Sequence, residues 1–86
     1  MDKFYFVQIL ARILRSAGDT MKLCDLAALL NRLGFRTNYR TQFTSNNRGI
    51  GRLVAGAYHR TMSFSPVDAK CIAEAFVNDK GEYLWK

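Results

Sequence analysis

The chain has 86 residues, of which 49 % are hydrophobic and 13 % aromatic, and its formal net charge is +6. This size and composition are typical of one globular domain over residues 1–86, which excludes both a second hydrophobic core and a disordered chain. The apolar runs are far shorter than the roughly 20 residues needed to cross a bilayer, so the sequence also excludes a membrane-spanning protein.

The first two predicted elements are helices. Apolar residues recur at helical spacing from Lys3 to Ser16, and Gly18 ends the pattern; the predicted buried stripe is Phe6, Leu10, Ile13, Leu14 and Ala17. A second helix is expected after Asp19 or Thr20, either of which can cap it, and Gly34 ends it. Its stripe is Leu23, Leu26, Ala27, Leu30 and Leu33.

Residues 35–44 lack a helical period and are rich in threonine and aromatic residues, which predicts a short hairpin or an extended loop with a turn around 38–40. Thr44 or Ser45 can then cap a third helix, over roughly residues 46–62. The apolar stripe of that helix is Ile50, Leu53, Val54, Ala57 and Tyr58.

A fourth helix is predicted after Ser65, because Pro66 and Asp68 are typical of a first helical turn. Its stripe is Val67, Cys71, Ile72, Ala75 and Phe76. A turn and a short tail with Trp85 follow, and we expect this tail to fold back on the core. The alternative is that residues 70–77 and 82–85 form the two strands of a wing. The expected fold class is therefore mainly α, with three to four helices and a short β-hairpin or wing.

The positive charge is concentrated in the middle of the chain. Between Arg32 and Met62 there are six arginines and no acidic residue, whereas the segments on either side are nearly neutral. Such segregation indicates a polyanionic partner, although a solvated basic face is the alternative. Arginine favours the first interpretation, because its planar guanidinium can form paired hydrogen bonds to phosphate or guanine.

The third helix carries the candidate binding residues. On a helical wheel, its face opposite the apolar stripe combines basic side chains with small residues, and these are Arg48, Arg52, Ala55, Gly56 and His59. Small residues let a helix approach the floor of a major groove, while Gly56 could instead pack against a neighbouring helix. We expect Arg48, Arg52 and His59 to face bases or phosphates, with the backbone gripped on either side by Arg36, Arg40 and Arg60.

Residues 26–53 resemble a known class of DNA-binding domain. The string from Leu26 to Thr37, followed by Gln42-Phe43-Thr44 and Gly49-Ile50-Gly51-Arg52-Leu53, is similar to the helix-turn-helix segments of serine recombinases and small phage or plasmid regulators. The resemblance implies a helix-turn-helix or winged-helix domain that binds double-stranded DNA, with a recognition helix after Thr44. That family usually has glycine in the hairpin where this chain has Tyr39-Arg40-Thr41, and the chain has no recombinase catalytic domain.

The sequence therefore predicts a sequence-specific or architectural DNA-binding protein, a small transcriptional regulator of bacterial, phage or plasmid origin. One alternative is a protein-interaction module that binds an acidic partner through its aromatic ends, and another is RNA binding through Tyr39, Phe43 and Tyr58. An enzyme is not expected, because no nucleophile, base and orienting group occur together. Nor do we expect a cofactor or a metal, since His59 is the only histidine.

Two expectations concern the protein's surroundings. Cys24 and Cys71 lie in apolar helical patterns without metal-ligand spacing, and no secretory signal precedes them, so we expect buried thiols in a cytoplasmic protein, with a disulfide as the alternative. A homodimer is also expected, through the N-terminal helix or the C-terminal tail, because Phe4, Tyr5 and Phe6 exceed what one stripe can bury.

Overall fold

A computed structural model describes residues 2–44 and 47–85, without the side chains of Asn47 and Arg48. The described part contains four α-helices, α1 (Lys3–Ala17), α2 (Leu23–Arg32), α3 (Arg52–Met62) and α4 (Pro66–Ala75). A π-helical turn, Asn47–Gly51, leads directly into α3, and two short strands, β1 (Met21–Lys22) and β2 (Phe76–Val77), complete the fold. The predicted class, mainly α with a short β element, is confirmed.

The two strands connect distant parts of the chain. They pair in parallel, with Met21 opposite Phe76 and Lys22 opposite Val77. This pairing corrects the predicted start of the second helix, because residues 21–22 are extended and α2 begins only at Leu23. An isolated antiparallel bridge joins Val77 to Tyr83, so the chain after α4 turns back on β2.

The last helix agrees with its predicted signals. Ser65 caps α4 by accepting a hydrogen bond from the Asp68 amide, and Pro66 lies in the first turn. Residues 70–75 are therefore helical, and the alternative of a wing strand over 70–77 is wrong for them. The C-terminal tail folds back as expected, since the Trp85 ring stacks on Tyr58 with 4.7 Å between ring centroids.

The core lies where α1, α3 and α4 pack together, and buried side chains of α2, which packs against the π-helical turn and β1, complete it. Its largest fully buried side chains are Phe76, Leu23, Leu26, Leu30, Ile50, Ile72, Val7 and Val54. In α1 the predicted stripe is displaced: Val7 and Ala11 are fully buried, while Ile13 is 58 % exposed. Apolar residues occur on most sides of α1, so their spacing alone did not show which side is buried. The close approach of α3 and α4 to α1 favours small side chains at the contact, which are Val7 and Ala11. On α4, Val67 is likewise exposed, contrary to prediction.

Both cysteines are free, so the alternative of a disulfide is wrong, and both are half-buried where buried thiols were expected. Partial burial and the neighbouring carboxylates of Asp79 and Asp25 raise the pKa of the Cys24 thiol. The thiol therefore stays protonated over a wider pH range than a free cysteine. No helix in the described part of the chain has the length and apolarity needed to cross a lipid bilayer.

Candidate nucleic-acid interface

A loop closed by two threonines precedes α3. The Thr37 amide donates to the Thr41 carbonyl oxygen (2.9 Å), and the two hydroxyl oxygens lie 2.7 Å apart. The Arg40 amide donates to the Thr37 carbonyl oxygen (2.9 Å). This is the turn predicted around residues 38–40, but residues 35–44 form no strand, so of the two predicted structures the extended loop is the one observed.

Asn31 of α2 fixes the far end of this loop. Its Nδ2 donates to the Phe43 carbonyl oxygen and its Oδ1 accepts from the Phe43 amide, both at 2.8 Å. The side chain thus forms the same pair of bonds that an adjacent strand would form, and it satisfies backbone groups that Phe43, itself buried, would otherwise leave without partners. Asn31 therefore sets where the chain enters the turn before α3.

Lys3 holds the other side of the loop. Its Nζ donates to Asn38 Oδ1 (2.8 Å) and to the Arg36 carbonyl oxygen (3.2 Å), which ties the N-terminus of α1 to the turn. Sequence reasoning missed this residue, because a lone lysine more than 30 positions before the loop carries no local signal. Only the packing of α1 against α3 brings the two segments together.

The face of α3 differs from the prediction at Gly56. A Cβ built there would lie 2.8 Å from Phe4 Cε1, so Gly56 is small because the Phe4 ring of α1 packs on it. Of the two interpretations of Gly56, packing against a neighbouring helix is the observed one. The Arg60 guanidinium lies over the same ring, 4.0 Å from its centroid, in a cation–π contact.

The predicted binding residues occupy three different settings. Arg36 is half-buried, and its Nη1 donates to the carbonyl oxygens of Phe35 (2.7 Å) and Asn31 (3.2 Å), so it neutralises the C-terminal end of α2. Exposed side chains are found at Arg40 on the turn and, on α3, at Arg52, His59 and Arg60. Arg48 lies outside the residues whose side chains are described.

Within the described residues, these exposed cations form no ion pair with a carboxylate. The two ion pairs present among residues 2–44 and 47–85 are Arg12 with Asp68 and Lys70 with Glu74, both involving acids of α4. Neither pair includes a cation of the segment 32–62. The positive charge of that segment is therefore uncompensated by ion pairing in the described part of the chain, and it is available to an external anion.

A cleft of about 470 Å³ opens between the N-terminus of α1, the loop and the start of α3. Lys3 and Arg52 contribute positive charge to its wall, Phe4 and Phe43 contribute rings, and Thr37 and Thr41 contribute hydroxyls. The sequence did not predict this cleft, since its walls come from three segments far apart in the chain. Nowhere in the described ranges do three His, Cys, Asp or Glu side chains come close enough to hold a metal ion.

The connection between α2 and α3 also differs from that of a compact helix-turn-helix. Residues 33–46 separate α2 from the π-helical turn, whereas the compact motif joins its helices by a turn of about three or four residues. The agreement with the expected motif is thus limited to the order of a helix, a connecting segment and a basic helix. No family model, curated protein or solved structure matches this chain.

Proposed function

We propose that this protein binds double-stranded DNA through the exposed cations of the 37–41 turn and of α3. The observation that carries the proposal is the segregation of charge: an acid-free segment of 31 residues, Arg32 to Met62, presents Arg40, Arg52 and Arg60 to solvent without carboxylate partners in the described structure. The phosphate backbone of DNA is the polyanion that such a surface suits.

The positions of the cations support phosphate contacts more directly than base reading. Arg60 is anchored on the Phe4 ring, and Arg52 is exposed at the first turn of α3. Gly56, between them in the sequence, is covered by Phe4. The DNA therefore contacts the arginines on either side of Phe4, and the Arg40 turn reaches a neighbouring part of the backbone.

Three further expectations belong to this proposal. A role in regulating transcription rests on the resemblance of residues 26–53 to helix-turn-helix segments. The cytoplasm is the compartment in which the protein would meet DNA. A homodimer would bring two copies of the basic surface to neighbouring half-sites.

The proposal is tested by fluorescence anisotropy with a labelled, mixed-sequence duplex at several salt concentrations. The test variant is Arg40→Gln/Arg60→Gln, and the matched control is Lys22→Gln/Lys80→Gln, which removes the same charge from exposed positions outside the acid-free segment. We expect the arginine variant to lower the slope of log K against log salt by about two, since each phosphate contact contributes about 0.9. The control should retain most of the slope.

Thermal unfolding of each variant shows whether a loss of affinity reflects a loss of fold, because Arg60→Gln also removes the contact with Phe4. Arg40→Gln alone, which disturbs no ring contact, should still weaken binding. Absence of duplex binding by the wild-type protein at low salt would contradict the proposal. It would favour a protein partner instead.

A further inference from the structure

The cleft beside α3 has the charge of an anion site. Of the side chains that line it, Lys3 and Arg52 are cationic and none is a carboxylate. The two acceptors of the Lys3 ammonium, Asn38 Oδ1 and the Arg36 carbonyl oxygen, are both neutral, so they orient the charge without cancelling it. Arg52 has no ion pair within the described residues. An anion entering the cleft would therefore meet two cations whose charge is uncompensated.

The cleft also has an exposed aromatic ring next to that charge. Tyr39, which is 87 % exposed, stands at the rim, whereas Phe43 is buried and the Phe4 ring carries Arg60 on one face. Aromatic rings beside a cation provide a stacking surface for a planar ligand. The threonine hydroxyls of the wall add hydrogen-bonding groups at the same place.

Size and chemistry together define the class of ligand. A volume of about 470 Å³ is within the range of pockets that hold small organic molecules. A ligand that satisfies the cleft needs an anionic group for Lys3 and Arg52, a flat ring for the aromatic side and polar groups for the hydroxyls. A nucleotide has all three, and inorganic phosphate alone would leave the Tyr39 ring without a partner.

We propose that this cleft binds one unstacked nucleotide, with its phosphate near Lys3 and Arg52 and its base against the Tyr39 ring. The inference deepens the proposed DNA binding by adding a second mode of contact beside the phosphate backbone. A base stacked within a duplex cannot reach such a cleft, so the nucleotide comes either from a single strand or from free solution.

The experiment is a titration of the ¹⁵N-labelled full chain, followed by the backbone amides of Thr37, Thr41 and Phe43. The probes are deoxyadenosine 5′-monophosphate and a deoxyadenosine tetranucleotide. Shifts with the mononucleotide place the ligand among free nucleotides. Shifts with the tetranucleotide but not the mononucleotide place it in single strands, and either result supports the proposal.

Arg52→Gln is the decisive variant, because Arg52 is exposed and bonds to no described residue, so the fold should be unaffected. We expect it to weaken probe binding about tenfold or more, as the loss of a charge-assisted hydrogen bond predicts. Tyr39→Ala should weaken it as well, and Lys80→Gln is the charge-matched control. Cleft amides that respond to neither the mononucleotide nor the tetranucleotide, or that respond equally in Arg52→Gln, would overturn this inference. Duplex binding that depends on Arg40 and Arg60 could persist in that case, so the two proposals fail separately.

Discussion

Arg40 occupies a backbone conformation that favours glycine. Its φ is 63°, and it is the only described non-glycine residue with positive φ. The left-handed region costs an L-residue about 1–2 kcal/mol, so the turn holds this cation in a strained conformation. Residues held in such conformations cluster at functional sites.

Replacing Arg40 with glycine should therefore separate stability from binding. Relief of the left-handed conformation is worth about 1–2 kcal/mol, and the greater freedom of glycine in the unfolded chain offsets about 0.5–1 kcal/mol of it. We expect Arg40→Gly to raise the free energy of unfolding by up to about 1 kcal/mol, and to weaken duplex binding. Urea unfolding and anisotropy measure the two effects, with Arg40→Lys as the control that keeps both charge and strain. A less stable Arg40→Gly protein would show that the turn is not strained.

A substitution at Gly56 should lower the free energy of unfolding, whereas Arg40→Gly should raise it. Alanine normally stabilises a helix interior by about 1 kcal/mol relative to glycine, but here its methyl group would collide with Phe4. Overpacking of this kind costs about 1–3 kcal/mol, so we expect Gly56→Ala to destabilise the protein by about 1 kcal/mol. In a Phe4→Leu background the same substitution should become stabilising. A double-mutant cycle in urea measures this coupling, and equal effects in both backgrounds would contradict the assigned contact.

The Asn31 side chain joins α2 to the loop that leads into α3. Asn31→Ala removes both hydrogen bonds to Phe43 and leaves the amide and carbonyl groups of Phe43 without partners. This should lower the free energy of unfolding by about 1–3 kcal/mol. It should also accelerate hydrogen exchange at the Phe43 amide. Asn38→Ala is the matched control, because its side chain is exposed and accepts a single bond from Lys3. Unchanged exchange at Phe43 in Asn31→Ala would show that the loop is held by other contacts.

Sequence patterns predicted those features of the elements that depend on local signals. The Ser65-Pro66 start of α4, the glycine end of α1 and the buried stripe of α3 all follow from neighbouring residues, and the structure confirms them. The predicted start of α2 was wrong, because residues 21–22 form a strand that pairs with β2, far away in the sequence. The cleft and the role of Lys3 also depend on contacts between distant segments, so the sequence could not predict them. No local pattern shows whether Gly56 is small so that the helix can enter a DNA groove or so that Phe4 can pack on it.

The homodimer stays a prediction, but the structure changes which residues could form its interface. Phe6 packs on Phe35 with 5.3 Å between ring centroids, and Trp85 is engaged with Tyr58, so most of the aromatic surface that suggested a dimer is covered. Tyr5 and Ile13 on α1 remain 52 % and 58 % exposed.

We expect Ile13→Lys to shift the protein to a monomer without lowering its melting temperature, because a charge placed at an apolar contact opposes association. Sedimentation velocity over a range of concentrations measures the shift. Val67→Lys, at a position on α4 that is 75 % exposed, is the control and should leave the dimer intact. A wild-type protein that sediments as a monomer at every concentration would refute the dimer.

The parallel pairing of β1 with β2 has a consequence for how the chain folds. Met21 and Phe76 are partners although 55 positions separate them, so this pairing closes a loop that contains all of α2, α3 and α4. Bringing such distant segments together costs chain entropy, which the packing of the helices offsets, including that of α1 on α4. During synthesis, β1 cannot pair with β2 until Phe76 and Val77 have left the ribosome. This pairing therefore forms late in the folding of the domain, after α2, α3 and α4 have all been synthesised.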